Sequence, residues 1–343
     1  MLLIILPGKA TLVLFDVYLS IEKMGPHSND NKSRTSLGLD IWSALPANTR
    51  GILLMAAFAG TVSLGHVIAR HLTQEFHPMQ VAFFRTFVPL VILTPILMSK
   101  GPGWWHTTRP GLQLLRGLIG GISMLTWFYT LSLIPVANAT ALSFTVVIFA
   151  SLGAVFFLGE RMGRHRWTAI FFGVVGTLII LRPFDVGLNP GALVALVSSI
   201  LWAAALICVK VLSRTDSSVT IVFYSSVYFT ILAGIPAAYF WIAPELIQLG
   251  LLICVGLLAT IAQLCMTGAL KIAETTAVMP IDFTRLLWAA ALGFIWFGEF
   301  PDPWTWIGSI IVFTSTMYIT YRENLMELSS EDRSIKDQTD RLR

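Results

Sequence analysis

An aspartate and an arginine three residues apart, Asp282 and Arg285, interrupt the apolar stretch IDFTRLLWAA. On a helix that spacing puts both on one face, within reach of an ion pair. A charge inside hydrocarbon costs about 2.5–3.5 kcal/mol on insertion scales, which makes such residues functional candidates by default. Two chemistries are open. Either the pair neutralises itself and locks its helix against neighbours, or Arg285 meets an anionic or polar group of a substrate while Asp282 carries a coupling proton or receives a cation. Arg85 is a third charge within an apolar run; its stem can snorkel to the interface, or its guanidinium can face a cavity and gate it or attract an anion. His66 is the histidine well inside a run, either a packing residue or, because imidazole titrates near neutrality, a coupling candidate beside Asp282. His71 is five positions on and does not share its face, so no metal is expected there.

The elements that hold these residues read as membrane helices. The chain has 343 residues, 55% hydrophobic and 12% charged, against roughly 25% charged in an ordinary soluble domain. Apolar runs recur at 51–70, 79–98, 112–134, 137–158, 167–182, 190–212, 218–242, 247–270, 275–297 and 304–321. Most approach the ~20 residues that cross a bilayer core of roughly 30 Å, and as helices they satisfy their own backbone polar groups, as hydrocarbon demands. Pro78, Pro135, Pro190, Pro244 and Pro303 sit in or beside the connections. Lysines and arginines fall singly or in threes between the runs, not along one face, which argues against nucleic acid. Cys208, Cys254 and Cys265 lack CxxC spacing and read as small packing residues.

If the connections alternate between two sides, 19 of the 23 basic residues share the side of the termini; Arg70 and Arg182 fall opposite, and Arg85 and Arg285 lie within spans. That bias predicts cytoplasmic termini. A motif then repeats at an offset of 139: Gly159, Glu160 and Trp167 of GERMGRHRW return as Gly298, Glu299 and Trp306 of GEFPDPWTW, without the arginines. Phe84, Val88, Ile92 and Leu93 match Phe223, Val227, Ile231 and Leu232 at the same offset, and Phe144 and Thr145 match Phe283 and Thr284. Five spans per copy is an odd number, so the second copy enters the membrane the other way up, where arginine would oppose insertion. The reading is an all-α integral membrane protein, ten transmembrane helices in two inverted five-helix repeats, which in transporters meet around a midplane site. It divides the chain into a tail over 1–50, repeats over 51–183 and 184–322, and a tail over 323–343. Residues 1–21 are apolar but broken by Pro7, Gly8, Lys9 and Asp16; an interfacial segment, or a start placed too far upstream, is expected there instead of a span.

VAFFR at 81–85, LLRG at 114–117, PVANATALSFTVVIFASLGAVFFLGER at 135–161, LIILRP at 178–183 and AETTAVMPIDFTRLLWAA at 273–290 resemble the EamA-type families of the drug/metabolite transporter superfamily. The similarity covers about 51–322, and within the family it runs to bacterial uptake carriers of S-adenosylmethionine or riboflavin. The resemblance implies a ten-helix alternating-access carrier in the bacterial inner membrane. Spans three, four, eight and nine would surround the cavity, while one, two, six and seven would open and close it. On those cavity spans lie Trp127, Phe128, Tyr129, Asn138, Ser143, Gln263 and Trp288, aromatics to stack on a flat ligand and amides to orient it. With Arg85, Asp282 and Arg285 they make up the binding and gating candidates.

The expected function is secondary active transport of a small organic metabolite or vitamin, with no cofactor and no enzyme activity. Its partners would be a small-molecule substrate and membrane lipid, with a second copy of the chain kept open. Alternatives are export of amino acids or drugs on the same fold, an intramembrane enzyme, or a channel. The sequence contains no GxxxxGK[ST], HExxH or GxSxG. Glu160 and Glu299 are expected to hold turns, and Gly117, Gly120 and Gly121 to permit close helix approach.

Overall fold

The computed structural model describes residues 45–98, 106–158, 164–182, 189–213, 215–216, 218–273 and 275–318. Its helices are α1 Ala47–Leu72, α2 Pro78–Met98, α3 Pro110–Leu133, α4 Val136–Ser143, α5 Thr145–Leu158, α6 Arg164–Leu181, α7 Pro190–Leu212, α8 Ser218–Tyr239, α9 Leu246–Ile272, α10 Thr275–Asp282 and α11 Thr284–Phe297, followed by α12 over 303–318. Prolines open α3 and α7 in the first turn, where the missing N–H has no helical partner to lose. Among the described residues, seven helical stretches are long and apolar enough to cross a membrane, and Pro78–Ile92 and Trp167–Leu181 are shorter apolar helices.

Residues 137–158 and 275–297, each expected as one uninterrupted span, are each two helices, broken at Phe144 and at Phe283. The breaks are 139 apart, and α4, α5 and α6 begin 139 residues before α10, α11 and α12. At each break a threonine hydroxyl donates to the carbonyl three residues back: Thr145 to Leu142 at 2.6 Å and Thr284 to Ile281 at 2.7 Å. That local bond offers the carbonyl an alternative to the helical ladder. The two phenylalanine rings then meet, with centroids 5.5 Å apart.

α1 packs along α9, and its counterpart α7 packs along α3. Gly117 and Gly121 let α8 approach α3: a Cβ on Gly117 would lie 2.7 Å from Tyr228 Cγ, and one on Gly121 2.9 Å from Leu232 Cδ2. One end of the bundle gathers the turns near 75, 242 and 300. There Gln80 donates to the Ile242 carbonyl at 2.8 Å and accepts from the Ile242 N–H at 3.0 Å, His77 stacks on Phe240 at 3.9 Å, Arg70 pairs with Glu299, and Arg182 pairs with Asp302. Gly298, at φ 67°, turns the chain out of α11 in the left-handed region that glycine enters without a Cβ penalty.

At the opposite end Asp216 ties the α7–α8 connection to the start of α3. It accepts from Gln113 Nε2 at 2.8 Å, from the Thr108 N–H at 3.4 Å, and from the Thr107 hydroxyl. Burial alone would raise its pKa, but the hydrogen bonds from Thr107, Gln113, Thr108 and Thr215 outweigh it and hold the carboxyl below its ordinary value. The sign follows: a depressed folded pKa stabilises the fold above the unfolded value of about 3.9, and that contribution disappears as pH falls through the folded value. Thermal melts of the wild type and Asp216→Ala should converge below about pH 4. At neutral pH the variant should lose about 1–3 kcal/mol, because Gln113 is left buried without its acceptor.

Candidate functional site

α1, α2, α3 and α9 leave a cavity of about 50 Å³ between them, walled in part by Phe58, Thr61, His66, Arg85, Phe128 and Gln263. The Arg85 guanidinium lies over the Phe128 ring, with Cζ 5.7 Å from its centroid. Among the described residues no carboxylate pairs with Arg85, and no acid contributes to the wall. Among the described residues, the cation at this cavity is met by the face of an aromatic ring and by no carboxylate.

His66 has its tautomer set by a neighbour. Trp127 Nε1 is 3.3 Å from His66 Nε2, and an indole N–H can only donate. Nε2 accordingly accepts, and the ring's own proton sits on Nδ1. A second proton would have to displace Trp127 and enter a cavity that already holds Arg85, so His66 is better suited to hydrogen bonding than to carrying a coupling proton. Gln263 Nε2 donates to Thr267 Oγ1 at 3.4 Å, one turn on along α9.

The Asp282 and Arg285 pair forms beside this space. Arg285 Nη2 donates to Asp282 Oδ2 at 2.8 Å, and Nε lies 2.7 Å from Oδ1. The guanidinium is framed by Phe144 and Phe58, with centroids 5.0 and 5.8 Å away. Ser63 Oγ of α1 donates to the Arg285 carbonyl at 3.1 Å. Phe58 thus stands between the ion pair and the cavity.

Other candidates lie elsewhere. Tyr129 is 42% exposed and absent from the wall. Trp288 packs near Gly60 of α1, where an added Cβ would be 3.6 Å from its ring. Asn138 Oδ1 accepts from Thr305 Oγ1 of α12 at 3.4 Å, and Ser143 donates to its own helix at Thr140. Glu160 lies outside the described residues. The resemblance implied walls on spans three, four, eight and nine; this cavity has α3 and α9, of spans three and eight, together with α1 and α2. Thr61 and Gly65, four apart on α1 and both on the cavity wall, gave that helix a small, polar patch that could have signalled this. Arg116, counted with the basic residues on the side of the termini, is buried within α3.

Two matching halves of membrane helices with a cavity between them form an arrangement that recurs in transporters. This chain belongs to the EamA-like transporter family, whose sequence model matches residues 49–182 and again residues 189–321. It is 32% identical over 261 residues to an S-adenosylmethionine uptake transporter of Rickettsia bellii, covering 76% of this chain and 90% of the relative. It is 30% identical to a riboflavin transporter of Rhizobium johnstonii over 80% of this chain and 91% of the relative. A pseudopaline exporter of Pseudomonas aeruginosa is 26% identical, with 76% and 93% covered. A solved crystal structure with 15% identity shares the fold at a TM-score of 0.56, over 81% of this chain and 99% of its own.

Proposed function

We propose that the chain is a secondary active carrier of a small organic metabolite or vitamin in the bacterial inner membrane, working by alternating access. Its ten crossings form two inverted repeats, residues 51–183 and 184–322, with both termini cytoplasmic. The observation that carries this reading is the cavity between helices of both halves, furnished with a guanidinium, an imidazole and aromatic faces. Those groups suit a flat or carboxylate-bearing organic molecule, in keeping with S-adenosylmethionine and riboflavin as the cargo named for two relatives. At about 50 Å³ the space is far below the ~300–1,000 Å³ of a ligand pocket, so loading requires the helices to part. The orientation gains support from Arg70 and Arg182, the two basic residues assigned to the outer side, since both are neutralised there by Glu299 and Asp302. Export is the second reading, favoured by the similarity to the pseudopaline exporter.

Purified protein in liposomes, challenged with riboflavin, S-adenosylmethionine and amino acids, should show saturable uptake of one cargo and counter-exchange; linear, unsaturable flux would mean a pore. With that cargo, Arg85→Gln should lower uptake roughly 10- to 100-fold at normal expression, the loss of a charge-assisted hydrogen bond. A wild-type rate in Arg85→Lys would remove the case for guanidinium geometry. Asp282→Asn and Arg285→Ala separate the two roles of their pair. Transport lost from a folded protein makes it functional, and joint loss of the folded protein makes it structural.

A further inference from the structure

Arg116 is only 8% exposed, and its Nε and Nη1 have no hydrogen-bond partner among the described residues. Unmade donors of a buried charged group are costly, and among the described residues no carboxylate pairs with it. Instead its Cζ lies 5.2 Å from the Phe229 ring of α8 and 5.9 Å from the Trp202 ring of α7. Gln113, one turn earlier on α3, also keeps a buried atom, Oε1, without a partner among the described residues.

The duplication gives this place a meaning. Moving the α9 wall of the cavity back by 139 carries Val255 onto Arg116, Ala259 onto Gly120 and Ala262 onto Ser123. The same shift carries α7 and α8 back onto α1 and α2, two of the other walls, and rings of α7 and α8 enclose Arg116. Arg116 therefore stands, in the second copy of the cavity, where Val255 stands in the first. The first copy holds open space in this structure, and the second is closed on its arginine. Inverted repeats rock against each other around their site, so the motion that closes one copy opens the other.

We propose that Arg116 anchors a second anion site, the pseudo-symmetric mate of the Arg85 cavity, which takes the carboxylate of a small organic anion when α3, α7 and α8 part. This rests on the alternating-access reading above. Trp202 and Phe229 hold the guanidinium by cation–π contact while the site is empty, and the carboxylate replaces them with direct hydrogen bonds. On this assignment Arg85 and Arg116 serve as stations on opposite halves of one path, Arg85 about seven residues inside the start of α2 and Arg116 six inside the start of α3.

The test requires no knowledge of the cargo. The full chain in neutral-lipid nanodiscs is treated with phenylglyoxal, which modifies solvent-reached arginines, and each site is read by mass spectrometry. Benzoate and its uncharged isostere benzamide serve as probes. Arg116 should react, and benzoate at about twice its Kd should slow that reaction roughly threefold by mass action, with benzamide inert. An Arg116 that stays unreactive, or that is slowed equally by both compounds or by neither, overturns the site and leaves a packing residue. Counter-exchange by the same preparation in liposomes is scored separately, so a working carrier whose Arg116 ignores benzoate keeps the function and loses the second station.

Discussion

Gly308→Leu is expected to yield no folded, monodisperse protein. A Cβ at Gly308 would lie 2.6 Å from the Gly176 carbonyl oxygen, and one at Gly176 would lie 2.8 Å from the Gly308 carbonyl oxygen. Both obstacles are backbone. Overpacking costs about 1–3 kcal/mol where side chains can give way; here α6 and α12 would have to separate along their crossing, so the loss should exceed that range. Without a solvent-driven hydrophobic force between helices in lipid, close approach of small residues is a main source of their association. Gly250→Leu is the control, because nothing lies within 4 Å of its Cβ position. Size-exclusion profiles in detergent distinguish the outcomes, and a monodisperse Gly308→Leu with an unchanged melting point would refute this account of the crossing.

Arg70→Glu should release the end of the bundle that the 298–302 turn closes. Arg70 grips Glu299 with both Nη atoms, Nη2 to Oε1 at 2.6 Å. Its guanidinium also lies 4.8 Å from the Phe297 ring. Arg182, held at φ 43° in the left-handed region, reaches Asp302 of the same turn, whose other oxygen accepts from the Thr305 N–H at 2.7 Å at the start of α12. Two residues of the first half are thus fastened to one short turn of the second. Glu299 is partly exposed, so screening puts the pair between an exposed bridge and a buried one, about 1–3 kcal/mol. In a background lacking the native cysteines, Thr61→Cys on the cavity wall should react with an impermeant maleimide roughly tenfold faster when Arg70 is reversed, the equivalent of about 1.4 kcal/mol. The double exchange Arg70→Glu with Glu299→Arg should restore slow labelling. Unchanged labelling in the single variant would show that this pair does not hold the end closed.

This pair also completes the comparison of the two copies of the turn. Sequence showed that the second copy lacks the arginines of the first. Only the folded chain shows that its acids meet Arg70 and Arg182, because those partners lie 229 and 120 positions away. The Asp282 and Arg285 contact was legible, since three residues on a helix fix it locally. The breaks at Phe144 and Phe283 were not. The residues around both remain apolar, and the hydroxyl bonds of Thr145 and Thr284 that accompany them change no hydrophobic pattern.

By itself the sequence determined the helical membrane class, the repeat offset of 139 and the charges candidate for function. Each follows from local quantities: the length of an apolar run, the cost of charge in hydrocarbon, and the spacing of like residues. Tertiary structure alone decided that α1 and α2 wall the cavity, that Trp127 fixes the His66 tautomer, that Arg85 faces Phe128, and that Arg116 is enclosed by rings of α7 and α8. In a bundle whose helices are apolar on nearly every side, no stripe names the neighbour. Partners are chosen by which small residues allow backbones to approach, and that becomes visible only once the helices are packed.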